Sequence, residues 1–136
     1  MASDWIRRDS KRRIVILDTS AILMLFEFSI DLEKELDRLL GAYQILILQA
    51  VEEELRVLSE NARGKKKRNA KASLDLITKY RISDVGVGST VDDVIVSAAE
   101  RFSAIVVTND AALRSRLKKK KICVVFLRGK SHLAMD

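Results

Sequence analysis

Five short, nearly unbroken apolar runs recur along this chain, each pair separated by a helical stripe, and that alternation limits the fold more than any other feature. The runs fall at about residues 14–18, 44–48, 81–85, 104–108 and 122–127. Runs this continuous suit strands buried on both faces rather than strands with one wet side. Between them, Leu32, Leu36, Leu39 and Leu40 share one helical face, and Gly41 supplies a stop. Val51, Leu55 and Leu58 make a second stripe, Ala70, Leu74 and Ile77 a third, and Ile95, Ala98, Ala99 and Phe102 a fourth that starts from Thr90. Leu113 and Leu117 mark a short helix before the last run. Strand–helix alternation of this kind predicts a three-layer α/β/α domain around a parallel sheet of about five strands, with right-handed crossovers and order 3-2-1-4-5. Its span is 14–136, preceded by a basic tail over 1–13. The 136 residues suffice for one sizeable core.

Composition narrows the function classes. The net charge of +6 favours a polyanionic partner. The single cysteine, Cys123, has no partner for an internal disulfide and lies in the last apolar run, so it reads as a core thiol in a reducing, cytoplasmic setting. No apolar stretch reaches the ~20 residues of a membrane span, and the charged N-terminus lacks a signal-peptide core. Gly86-Val87-Gly88 is too little for a phosphate loop and reads as a turn, which disfavours an NTPase.

Four acids stand where such a sheet would gather them. Ligands of open parallel sheets bind beyond the C-terminal strand ends, at the point where strand order reverses. Asp18 closes the first run, and Asp110 follows the fourth after Thr108 and Asn109. Strands one and four are neighbours at that reversal, so the two acids should flank one site. Each also has a structural reading as a helix N-cap; Ser20 can serve as the first cap instead. Thr90 and Asp93 have capping-box spacing, which leaves Asp92 unassigned and able to face the sheet. At about 100° per residue, Glu54 falls on the interior side of its helix, whereas Glu53 points away and Glu52 lies at the stripe's other margin. A buried glutamate needs a partner, either a cation or an arginine.

Carboxylates about 4 Å apart repel by roughly 4 kcal/mol at an effective dielectric of 20, and a divalent cation reverses that sign. Oxygen-only ligands select Mg²⁺ or Mn²⁺ over zinc, and His132 is the sole histidine. Water polarised by metal is then the expected nucleophile. Ser20 can hydrogen-bond a ligand carboxylate. Two cationic runs complete the picture. Lys118 to Lys121 close a helix, where cations complement the dipole. Arg63, Lys65, Lys66, Lys67, Arg68 and Lys71 open one, where cations oppose it; a phosphate backbone would explain them.

These residues resemble the PIN-domain ribonucleases. The matching segments are Asp18-Thr19-Ser20-Ala21-Ile22-Leu23, Val51 through Glu54-Leu55, Asp92-Asp93-Val94-Ile95, and Thr108-Asn109-Asp110 with Leu113. They occur in the family's order and cover nearly the whole chain after Arg13. The resemblance implies Mg²⁺ or Mn²⁺ held by Asp18, Glu54, Asp92 and Asp110, with Ser20, Thr108 and Asn109 as polar auxiliaries and accessible single-stranded RNA as substrate. Homodimers are common in the family.

Phe28-Ser29-Ile30-Asp31-Leu32 and the tail Phe126 to Leu133 are most similar to the ribosomal-RNA-processing branch in its archaeal form, which makes pre-ribosomal RNA the expected partner. Gln49 stands where many relatives carry proline, and Ser20 where this branch often has asparagine. Three rivals remain at this point. One is a toxin ribonuclease restrained by an antitoxin, and another is an RNA-binding scaffold with little turnover. The third, a phosphoacceptor receiver domain, is poorly served by Asp84.

Overall fold

A computed structural model describes residues 12–136, so the expected tail over residues 1–11 lies outside the described residues. Of that tail's remaining two residues, Arg13 opens the first strand. The strands are β1 (Arg13–Leu17), β2 (Tyr43–Leu48), β3 (Arg81–Ser83), β4 (Ile105–Val107), β5 (Val124–Arg128) and β6 (His132–Met135). The helices are α1 (Thr19–Glu27), α2 (Leu32–Leu40), α3 (Gln49–Asn61), α4 (Gly64–Ile77), α5 (Val91–Phe102) and α6 (Ala111–Lys119). The sheet order is β3-β2-β1-β4-β5-β6. β1 to β5 run parallel, as the apolar runs required, and β6 returns antiparallel to β5. The expected five-strand order is therefore present, extended by one strand.

The core follows the runs. Val15, Ile16, Leu46, Ile47, Ile105, Val106, Val124 and Val125 are all buried. Residues of neighbouring strands pair Ile16 with Leu46 on one side and with Val106 on the other, so the centre of the sheet is dry aliphatic surface. Helices pack against it through their stripes: Leu36 from α2, Val51 and Leu55 from α3, Ile95, Ala98 and Ala99 from α5, Leu113 and Leu117 from α6. Each fully buried Leu or Ile contributes roughly 1.5–3 kcal/mol relative to exposure.

β6 was hidden by its dependence on distant residues. Leu133 is its one buried side chain. Both of that residue's backbone polar groups are taken by α2: its amide donates to Glu35 Oε1 at 2.7 Å, and its carbonyl accepts from Arg38 Nη2 at 2.6 Å. These two side chains cover a sheet edge that would otherwise offer unpaired groups. The turn into β6 uses Gly129 and Lys130, both at φ 63°.

Candidate active site

The register sets the centre of the site. Leu17 pairs with Val107, and the next residue in each chain direction leaves the sheet. The Asp18 amide donates to the Val107 carbonyl at 3.0 Å, and the Thr108 amide to the Val125 carbonyl at 3.0 Å. Asp18 and Thr108 thus emerge side by side at the C-terminal ends of β1 and β4, where strand order reverses. Asp18 is only 6% exposed and Thr108 is fully buried.

Burying a carboxylate is costly unless donors surround it. Asp18 has three. The Thr19 amide donates to Oδ1 at 2.7 Å; the Ser20 and Thr108 hydroxyls donate to Oδ2 at 2.9 and 2.7 Å. Asp18 is therefore the N-cap of α1 as well as the deepest acid. Ser20, expected as the alternative cap, instead lies within α1 and supports Asp18. Burial raises the Asp18 carboxyl above its ordinary range; the three hydrogen bonds pull the other way, and the negative charge of Glu54 adds to the rise.

Glu54 reaches the site from α3 by a contact the sequence did not reveal. The Thr19 hydroxyl donates to Glu54 Oε1. Thr19 is 35 positions away, so no local spacing announces the pair; the only clue is a hydroxyl directly after the strand-end acid. Glu52 pairs with Arg56 at 3.4 Å and Glu53 is exposed, as their helical angles implied.

Asp92 and Asp93 part as expected. The Asp93 amide donates to the Thr90 hydroxyl at 3.1 Å, closing the N-terminus of α5. The Asp93 carboxylate turns to Arg116 at 2.8 Å. Asp92 is left to the acids. Desolvation raises its carboxyl, and the charges of Asp18 and Asp110 raise it further, against a smaller opposing pull from Arg116. Asp110 caps α6, its Oδ1 accepting the Leu113 amide at 3.0 Å, and its own amide donates to the Thr108 hydroxyl at 3.0 Å.

Asn109, also expected as an auxiliary, makes three contacts, none of them directly to the four carboxylates. Its Oδ1 accepts the Leu127 amide at 3.1 Å, its Nδ2 contacts Met24 Sδ at 3.0 Å, and its amide donates to Ser20 Oγ at 3.2 Å. It ties the end of β4 to β5 and α1. The polar support of the acids falls to Thr108, Ser20 and Thr19.

The four acids share one end of the sheet and feel one another's charge, yet among the described residues no three histidine, cysteine or acidic side chains form a ready-made cation cage. No ion pair between described residues involves Asp18, Glu54, Asp92 or Asp110. The donor chemistry fits a hard divalent cation: the ligands are oxygen only and carboxylate, and burial raises the carboxyls of Asp18 and Asp92, with a neighbouring acid's charge adding to each.

The cationic run begins the helix that packs against the one carrying Glu54. Arg63 precedes α4 without a side-chain cap, and no acid occupies the first turn of α4. Lys65, Lys66, Arg68 and Lys71 are exposed, and Lys67 is partly covered. α4 packs back along α3. Eight residues separate Glu54 from Ala62, and eight separate Arg63 from Lys71. At 1.5 Å per residue, about 12 Å along each helix, Lys71 returns roughly level with Glu54 while Lys65 stays at the hairpin tip.

Comparison with known proteins agrees with this fold. A family model described as a PIN like domain matches residues 15–130. The chain is 31% identical to Ribonuclease VapC9 of Archaeoglobus fulgidus over 121 residues, covering 89% of this chain and 87% of that protein. It is 29% identical to Ribonuclease VapC4 of Methanocaldococcus jannaschii, covering 87% and 92%. Among solved structures, the PIN domain endonuclease Utp24 superposes with a TM-score of 0.73 at 23% identity, over 90% of each chain. VapBC2 from Rickettsia felis, bound to a DNA fragment from their promoter, gives 0.56 at 21%, over 76% of this chain and 92% of that one.

Proposed function

Because this chain belongs to the PIN-like domain family, we propose that it is a metal-dependent endoribonuclease. Asp18, Glu54, Asp92 and Asp110 would hold Mg²⁺ or Mn²⁺. The observation that carries the reading is the buried, triply hydrogen-bonded Asp18 at the strand-order reversal, with the charges of Glu54 and Asp92 coupled to it. That Ribonuclease is part of the name of both relatives supports RNA as substrate.

A bound divalent cation would polarise the phosphodiester and the attacking water. The chain's own residues supply the rest. Thr108 and Ser20 donate to Asp18, which favours its ionised form and fixes its orientation. Thr19 orients Glu54, so α1 and α3 present their acids together. Asp110 ties the site to α6. The cations from Arg63 to Lys71 draw the RNA backbone along the α3–α4 hairpin towards Glu54.

The finer assignment is ribosomal-RNA processing, supported by the resemblance of residues 28–32 and 126–133 to that branch. Likeness to VapC ribonucleases favours a second reading, a nuclease restrained by an antitoxin. Tagged protein recovered from its own cells separates them: ribosomal-RNA precursors support the first, and a small stoichiometric protein partner that blocks cleavage supports the second. The activity itself is tested by Mn²⁺-dependent cleavage of single-stranded RNA. Asp18→Ala should abolish it with the circular dichroism of the folded protein unchanged; a folded, active Asp18→Ala variant refutes the site.

A further inference from the structure

Arg116 stands at the rim of the acidic site and no step described so far uses it. It lies on α6, whose N-cap is Asp110, and its guanidinium meets Asp93 Oδ1 at 2.8 Å, one residue from Asp92. A cation beside clustered acids ordinarily weakens a metal site by competing for its ligands. Here most of that competition is diverted, because Arg116 is paired with Asp93 rather than with any of the four acids.

We propose that Arg116 is a phosphate-binding residue, exchanging Asp93 for an RNA phosphate next to the one being cleaved. This rests on the endoribonuclease reading. Three features make the exchange favourable. Both partners are partly exposed, Arg116 by 43% and Asp93 by 33%, and ion pairs this wet contribute little to stability. Asp93 does not need Arg116: it sits in the first turn of α5, where the helix dipole favours an anion, and Ser89 Oγ also approaches it at 3.3 Å. Arginine, in contrast, gains from phosphate, because its planar fork matches two oxygens at once. The α4 cations sit on the helix packed against the one that carries Glu54, and Arg116 sits on the helix capped by Asp110, so a strand crossing the acids can be gripped from two different helices.

The rival account is that Arg116 merely braces α6 against α5 through Asp93. A double-mutant cycle separates the two. The probe is a labelled, mixed-sequence single-stranded RNA oligonucleotide, bound in EDTA so that cleavage does not intervene. Arg116→Ala should weaken binding about tenfold and lower the salt slope by about 0.7, one contact's worth for a single strand. It should do so at least as strongly in the Asp93→Asn background, where the competing carboxylate is gone, and Arg116→Lys should restore most of the slope. Thermal melting of each variant fixes the folded fraction, and Arg116→Gln serves in place of any alanine variant that melts early. If Arg116→Ala has no effect once Asp93 is already asparagine, Arg116 is a brace and the inference is overturned. Wild-type protein that fails to bind RNA overturns it too. Wild-type protein that binds RNA but never cleaves it with Mn²⁺ sinks the endoribonuclease reading alone, because the cycle still decides the role of Arg116 in binding.

Discussion

The Thr108 hydroxyl donates to Asp18 Oδ2 at 2.7 Å, and Thr108 Oγ1 in turn accepts the Asp110 amide at 3.0 Å. One buried side chain thereby fixes two of the four acids relative to each other, across the β1–β4 boundary. Its proton is committed to Asp18 because the Asp110 amide occupies its acceptor side. A hydroxyl donor favours the ionised, acceptor-only form of Asp18 that a cation needs, against the opposing effect of burial.

Thr108→Val removes that donor while keeping the shape of the side chain. Groups that orient metal ligands typically govern 10–100-fold in affinity or activity. A loss of that size in Mn²⁺-dependent cleavage is expected, with Thr108→Ser close to wild type. Equal activity in the valine and serine variants would show that packing, not the hydroxyl, is what matters at this position.

The raised carboxyls of Asp18 and Asp92 have a cost in the metal-free protein. Their folded-state pKa values lie above the ordinary aspartate value of about 3.9, so between the two values the folded state binds more protons than the unfolded chain. Metal-free stability should therefore fall as pH rises through that window and level off above it. Asp92→Asn removes one of the repelling charges. Its melting temperature in EDTA at neutral pH should exceed wild type by about 1–3 °C, and its decline with rising pH should be shallower. The same variant should lose cleavage, since activity and stability pull apart where like charges are gathered for function.

Those parts of the fold that follow from residue type alone were legible. Runs such as Ile14 to Leu17 and Ile105 to Val107 have no polar face to offer, so they had to be interior parallel strands, and Asp18 and Asp110 took their places from the strand ends. Asp92 was separable from Asp93 because Thr90 explains only the second. What escaped was whatever depends on partners distant in sequence. β6 is four residues with one buried side chain, held by Glu35 and Arg38 nearly a hundred positions away. The Thr19–Glu54 contact and the contacts of Asn109 belong to the same class. Each links residues whose spacing has no helical or strand period, so no pattern within one segment encodes it.

The α2 latch on β6 makes acid sensitivity a measure of that edge strand. Arg38 and the Leu133 amide hold the Glu35 carboxyl below its ordinary range. Its folded pKa is depressed, so its contribution is present above the unfolded value and is lost as pH falls through the folded one. Glu35→Gln should cost about 1 kcal/mol at neutral pH, below the roughly 1.5–3 kcal/mol of a hydrogen bond to a charged group because solvent screens the half-exposed Arg38. The difference from wild type should shrink as pH falls through the folded-state value of Glu35. Amide exchange at Leu133 should quicken in the variant at neutral pH; unchanged protection would mean that apolar packing alone secures the strand.

Long-range charge governs the last expectation. Lys65, Lys66 and Arg68 are exposed at the start of α4, and no ion pair between described residues involves them. They oppose the helix dipole there, so replacing them should not destabilise the protein. The triple change Lys65→Gln, Lys66→Gln, Arg68→Gln should leave the melting temperature level with wild type or slightly above it. If all three meet phosphates, the logarithmic salt slope of single-stranded RNA binding should drop by about 2, at ~0.7 per contact. Because none of them reaches the acids, the defect should appear in KM and leave kcat nearly intact. A fall in kcat at saturating RNA would instead place this helix in the chemistry itself, and an unchanged salt slope would remove α4 from the RNA path.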